Sequence, residues 1–182
     1  MQKGKVLIGM FLVLLMAGCS ATGTSKNDEG TKETVKTSMV SKSEENSVNK
    51  GEKVSTFVWG KGKDEARITY TYDESNDIVT KFKIESPQYG SAFKNKEEGN
   101  KKIKILLGGT RGVTASVIEK NGTLIAVIEV DLKICKFSDM KKSDNYIIKG
   151  LAETGFLKGD GDEASYTQSK NSIMMNGFEE RE

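Results

Sequence analysis

The stretch Val113-Thr114-Ala115-Ser116-Val117-Ile118-Glu119-Lys120-Asn121-Gly122-Thr123-Leu124-Ile125-Ala126-Val127-Ile128-Glu129-Val130-Asp131-Leu132 decides the fold. Asn121-Gly122 is the dipeptide that accepts positive φ at both corners of a two-residue turn, so the chain on either side folds back as a hairpin. After the turn, Leu124, Ala126, Ile128, Val130, Leu132 and Ile134 form one apolar face at period two. Six apolar positions in a row predict the central strand of a sheet. The intervening positions begin apolar at Ile125 and Val127 and turn acidic at Glu129 and Asp131, so the second face meets water partway along.

Upstream, the same period recurs in shorter runs. Val54 to Trp59 is a first strand, closed by Gly60-Lys61-Gly62-Lys63. Ala66, Ile68, Tyr70 and Tyr72 share one face of a second, and residues 73–77 turn the chain. Ile78, Thr80, Phe82 and Ile84 alternate with Val79, Lys81 and Lys83 in a third that ends near Pro87. Short turns between successive strands predict an antiparallel meander. Between Pro87 and Gly112 the period becomes helical: Asn95 caps, Glu98 follows three residues on, and Gly99, Ile103, Leu106 and Leu107 form a narrow stripe ended by Gly108-Gly109.

Downstream, Ser138 caps a short predicted helix through Lys142, and Tyr146-Ile147-Ile148 or Leu151 to Phe156 covers a sheet edge. A better-marked helix starts at the capping box Ser165-Tyr166-Thr167-Gln168, places Tyr166, Ile173 and Met174 on one face, and stops at Gly177-Phe178. The expectation is an α+β domain: an antiparallel β-sheet of about five strands, meander plus Asn-Gly hairpin, packed with two or three helices. It occupies residues 53–182.

The N-terminus has another texture. Lys3 and Lys5 precede a charge-free run from Val6 to Ala17, twelve residues against the roughly 20 that a helix needs to span a bilayer. Leu15-Met16-Ala17-Gly18-Cys19 resembles the lipobox of bacterial lipoproteins, with Met16 where that family prefers Leu. The resemblance implies a signal peptide over 1–18, cleavage between Gly18 and Cys19, and a diacylglycerol on the Cys19 sulfur. Two acyl chains anchor stably, since each buried CH₂ contributes ~0.8 kcal/mol. Residues 20–50 hold eleven Ser/Thr, ten charged and five hydrophobic residues, too few apolar groups to offset the entropy of ordering. As a coil this spacer reaches about 30 Å. The chain thus divides into a leader at 1–18, an anchor and tether at 19–52, and the domain.

Gly112-Val113 ahead of the hairpin, Val130-Asp131-Leu132 followed by the Ser138-Asp139-Met140-Lys141-Lys142 stretch, and the close at Ser172, Gly177 and Phe178 are similar to the YehR-type lipoproteins. The likeness covers most of residues 53–182 together with the leader, and departs from the family pattern by an insertion around Gly150 to Glu163. It implies a small, α+β, lipid-anchored protein and assigns no catalytic residues.

Composition narrows the chemistry. The 182 residues include no His, which removes Ser-His-Asp and Cys-His catalysis and any imidazole-ligated zinc. The net charge of +2 comes from 28 Lys+Arg against 26 Asp+Glu. Lys3 and Lys5 account for it, so 26 bases remain against 26 acids beyond the leader, and no nucleic acid is expected as a partner. With Cys19 acylated, Cys135 has no disulfide partner and reads as a partly buried thiol. The acidic loop Gly159 to Glu163 misses an EF-hand, since position 5 from Asp160 is Ala164 and position 12 is Asn171. Leu107 to Gly112 lacks the phosphate-loop Lys. No cofactor or metal is expected.

Phe57 and Trp59, on one face of the first strand, are candidates for an aromatic ligand patch. Glu129 and Asp131, two residues apart and about 6–7 Å along a strand, are candidates for paired-carboxylate hydrolysis. The leading expectation is a non-enzymatic module on the extracytoplasmic face of the cell membrane, held through Cys19 and binding an envelope protein or small ligand. The alternatives are an envelope hydrolase, and a leader whose residues Phe11 to Gly18 also serve as a hydrophobic pheromone-like octapeptide.

Overall fold

A computed structural model describes residues 51–107 and 109–181. Six strands form one open antiparallel sheet: β1 (Glu52–Trp59), β2 (Ala66–Asp73), β3 (Ile78–Ser86), β4 (Val113–Lys120), β5 (Thr123–Asp131) and β6 (Glu179–Arg181), in the order β4-β5-β3-β2-β1-β6. Five helices accompany it: α1 (Pro87–Gly90), α2 (Lys96–Leu107), α3 (Phe137–Lys142), α4 (Tyr146–Glu153) and α5 (Tyr166–Met175). The α+β class and the meander-plus-hairpin plan stand, with one strand more than about five. That extra strand is β6, whose three exposed residues pair with β1 at Thr56, Phe57 and Val58 and show no alternation to read.

The hairpin forms at the expected turn. Asn121 and Gly122 have φ of 51° and 73°, and Lys120 pairs with Thr123 across them. The core grows from cross-strand register: Phe57 lies opposite Ile68, Tyr70 opposite Phe82, and Phe82 opposite Val130. On the same face Phe156 stacks over Phe82 at 6.4 Å between centroids, and the Tyr70 hydroxyl donates to the Phe156 carbonyl at 2.5 Å. Each fully buried aliphatic or aromatic side chain here contributes about 1.5–3 kcal/mol. The opposite sheet face carries Thr69, Lys81, Lys83 and Glu129, and is covered by none of the helices whose buried residues join this core.

Several readings are corrected. The hairpin strand β5 is not central; β3 and β2 hold the middle of the sheet, and β5 lies one place in from the β4 edge. Its apolar face also stops short, because the Asp131 carbonyl accepts from the amides of Ile134 and Cys135 while its carboxylate accepts from the Lys133 amide at 2.9 Å. That turn buries Leu132 and Cys135 and leaves Ile134 48% exposed. In β3 the ladder skips Thr80, since Thr71 faces Lys81 and Tyr72 faces Val79. The bulge puts Val79 in the core, on the face from which strict alternation excluded it.

Further corrections concern the tail. Residues 146–153 do not cover a sheet edge; they form α4, capped by the Asn145 side chain on the amides of Ile147 and Ile148, and bury Ile147, Ile148 and Leu151 in the main core. Ser138 sits inside α3 rather than before it, and donates to Asp162 at 2.5 Å. The two marked helices hold: Asn95 accepts from the Glu98 amide, and Ser165 from that of Gln168. Of the three residues expected to share a face of α5, Ile173 is buried and Tyr166 half-buried, while Met174 is 44% exposed. The β4 edge is closed by a side chain. Asn100 of α2 donates to the Val117 carbonyl at 2.9 Å and accepts from its amide at 3.0 Å, as a neighbouring strand would.

Candidate functional site

Strand lengths create the site. β3 ends where Ser86 faces Ala126, yet the β4–β5 hairpin runs on through Ile125, Leu124 and Thr123 to its turn. Three residues at 3.3–3.4 Å each make an overhang of about 10 Å. On the other side the β1–β2 connection bulges out in a short 3-10 turn at Gly62–Asp64. Pro87, at the start of α1, forms the floor between these two walls. Gly90 lets α1 sit against the hairpin backbone, for a Cβ there would lie 1.9 Å from the Leu124 carbonyl oxygen.

The result is a notch with two lobes. One, of about 500 Å³, is lined by Glu65, Arg67, Glu85, Ile118, Lys120 and Ile125, among others. The second, of about 560 Å³, is lined by Trp59, Asp64, Ala66, Gln88, Ser91 and Leu124, among others. Lys63, Pro87 and Thr123 border both. Each volume lies within the ~300–1,000 Å³ of small-ligand sites. A third cavity, of about 540 Å³, lies beyond the same connection, against Trp59, Gly177 and Arg181.

Fixed charges hold one wall. Arg67 donates to Glu65 at 2.8 Å and reaches Glu85 at 3.8 Å, while Arg181 of β6 meets Glu65 at 3.0 Å. The Arg67 hydrogen bond holds the Glu65 carboxyl below the usual carboxylate range against the opposing effect of burial, with Arg181 reinforcing it. Other polar groups of the notch are unspent: the side chains of Lys63, Asp64, Lys120, Asn121 and Thr123 make no hydrogen bond among the described residues.

The structure separates the residues singled out from sequence. Phe57 is fully buried, edge-on to Tyr70 at 5.8 Å, and presents no surface to a ligand. Trp59, two residues later, is half-buried at the strand end and borders the notch. Glu129 and Asp131 are neighbours on the open sheet face, across from Lys83 and Lys81 respectively, and border none of the three cavities at this sheet end. Cys135 is buried, and burial first, then Asp139, pushes its thiol pKa up. Cys19, Gly18 and the octapeptide from Phe11 lie outside the described residues, as does Gly108. Sequence reasoning missed Lys63, Gln88, Lys120 and Thr123, because the notch depends on where β3 stops relative to β5. Only Pro87 signalled that stop.

Among the described residues no helix is long and apolar enough to cross a membrane, and no group of three or more Cys, Asp or Glu is placed to hold a metal ion. No family model matches the chain, and no curated protein matches it. Two solved structures resemble it. One is the NMR structure of a protein from Streptococcus pneumoniae TIGR4, 13% identical, with a TM-score of 0.46 over 88% of this chain and 100% of that one. The other is the NMR structure of the E. coli YehR protein, 18% identical, with a TM-score of 0.44 over 71% of this chain and 90% of that one. Likeness at such identities extends to the backbone alone.

Proposed function

We propose that this chain is a lipid-anchored module on the extracytoplasmic face of the cell membrane, and that it binds a ligand in the notch without transforming it. The lipobox at Leu15 to Cys19 supports the anchor. The observation that carries the binding role is the meeting of two ligand-sized cavities at Lys63, Pro87 and Thr123, ringed by unspent polar groups and bordered by Trp59. The paired acids Glu129 and Asp131 stand away from the notch, beside Lys83 and Lys81.

Trp59 is the single tryptophan of the chain, which makes its emission a direct report on the notch. Titrating the full-length protein in detergent with a solubilised envelope extract is expected to shift that emission saturably. Glu129→Gln and Asp131→Asn are expected to leave the titration unchanged. An emission unmoved by any extract fraction would remove the binding role. Palmitate labelling of the wild type but not of Cys19→Ala checks the anchor independently, and equal labelling of both would refute it.

A further inference from the structure

We infer that the notch takes a short, uncharged oligosaccharide, an inference that rests on the binding role proposed above. Charge comes first. The lining carries Lys63, Arg67 and Lys120 against Asp64, Glu65 and Glu85, so its formal charges cancel. A polyanion or polycation finds no net field there.

What remains is a demand for neutral groups that both donate and accept. The Asp64 carboxylate offers only acceptors, and the Lys63 and Lys120 ammoniums only donors. The Gln88 and Asn121 amides and the Thr123 hydroxyl offer both. None of these side chains is engaged elsewhere among the described residues, and neither is the Trp59 indole N–H. A chain of sugar hydroxyls meets such a set in any rotation, because each hydroxyl is donor and acceptor at once. Its C–H faces suit the apolar part of the same walls, Trp59, Pro87, Leu124 and Ile125. The two lobes are neighbours that share Lys63, Pro87 and Thr123, which favours a ligand of several linked units over a single compact one.

A peptide fits less well. One common way to hold an extended peptide is to add it to a strand edge. Here the overhanging length of β5 has α1 against it, with the Gly90 backbone on the Leu124 carbonyl, so a peptide strand has no free edge to join on that side.

The test follows Trp59 emission of the full-length protein in detergent. Four probes are used: chitotetraose and maltotetraose as uncharged sugars, a sulfated heparin tetrasaccharide, and an unstructured peptide of mixed sequence. A saturable shift with at least one uncharged sugar, insensitive to salt and weakened about tenfold or more by Gln88→Ala and by Asp64→Asn, is expected. Both residues are exposed, so neither substitution disturbs the core. A shift with the sulfated sugar or the peptide alone would overturn the inference while leaving the binding role intact. No shift with these probes, where the envelope extract still produces one, would also overturn the inference alone. Silence toward probes and extract together would overturn both.

Discussion

Asp77 ties the β2–β3 turn to helix α5, and its replacement has a calculable cost. Its carboxylate accepts from the Ser165 hydroxyl at 2.5 Å, the Thr167 amide at 2.8 Å and the Thr167 hydroxyl at 2.7 Å, at the N-terminus of α5. Its backbone carbonyl accepts from the Tyr166 amide at 2.9 Å. Burial works to raise the carboxyl pKa, but these hydrogen bonds outweigh it and hold the group below its ordinary 3.8. Asn is the fitting replacement, because it tolerates the φ of 58° at this position while removing the charge. Losing a helix-capping carboxylate costs about 0.5–2 kcal/mol, and its attraction to the helix terminus about 0.3–1 kcal/mol of overlapping effect. Asp77→Asn is therefore expected to destabilise the domain by about 1–2 kcal/mol at pH 7. Urea unfolding followed by circular dichroism would read this as a lower midpoint with unchanged slope. The pH dependence has a definite sign: a depressed folded pKa stabilises above the unfolded value of 3.8, and the effect is lost as pH falls through the lower folded value. The gap between wild type and Asp77→Asn should accordingly close in acid. A gap below about 0.3 kcal/mol at pH 7, or one that persists undiminished at pH 2, would refute the reasoning.

Three other perturbations have defined outcomes. Asn100→Ala removes two hydrogen bonds to the Val117 backbone, worth about 0.5–1.5 kcal/mol each, and bares the β4 edge. A lower unfolding midpoint and concentration-dependent association by light scattering are expected; an unchanged, monomeric variant would contradict the edge-capping role. Gly90→Ala forces a methyl against the Leu124 carbonyl and is expected to cost about 1–3 kcal/mol and to shift Trp59 emission as the notch floor moves. A wild-type melt and spectrum together would show that α1 has room the geometry denies. In a Cys19→Ala background, the Cys135 thiol should resist thiol reagents at pH 8 until denaturant is added, because burial disfavours its thiolate. Rapid labelling of the native protein would place Cys135 at the surface.

The parts of this fold legible in sequence are those whose cause is local. An Asn-Gly turn and its alternating flanks are self-contained, and so are the caps at Asn95 and Ser165, each of which accepts from an amide three residues on. What failed depended on partners distant along the chain. Nothing near Thr80 announces a bulge, which appears only when β3 pairs with β2 on one side and the Leu132 amide reaches the Thr80 carbonyl on the other. Likewise β5 looks central by its apolarity, but its rank in the sheet is set by β3 pairing with it and by β1 and β6 extending the far side. Helix α4 was hidden because its apolar residues are contiguous at Ile147-Ile148, which period alone cannot tell from a strand.

Phe57 and Trp59 show how the same limit governs the site. By alternation they are equivalent, yet Phe57 is fully buried while Trp59, at the strand end, is half-buried against the margin of the same core. At that boundary the sheet loses its flat surface as well, since β3 has stopped at Ser86 and β5 runs on to Thr123. The notch walls consequently include two turns, the β1–β2 connection and Asn121-Gly122, while the floor is the buried Pro87. Such a division lets turn residues such as Lys63, Asp64 and Asn121 vary without touching Phe57, Tyr70 or Phe82.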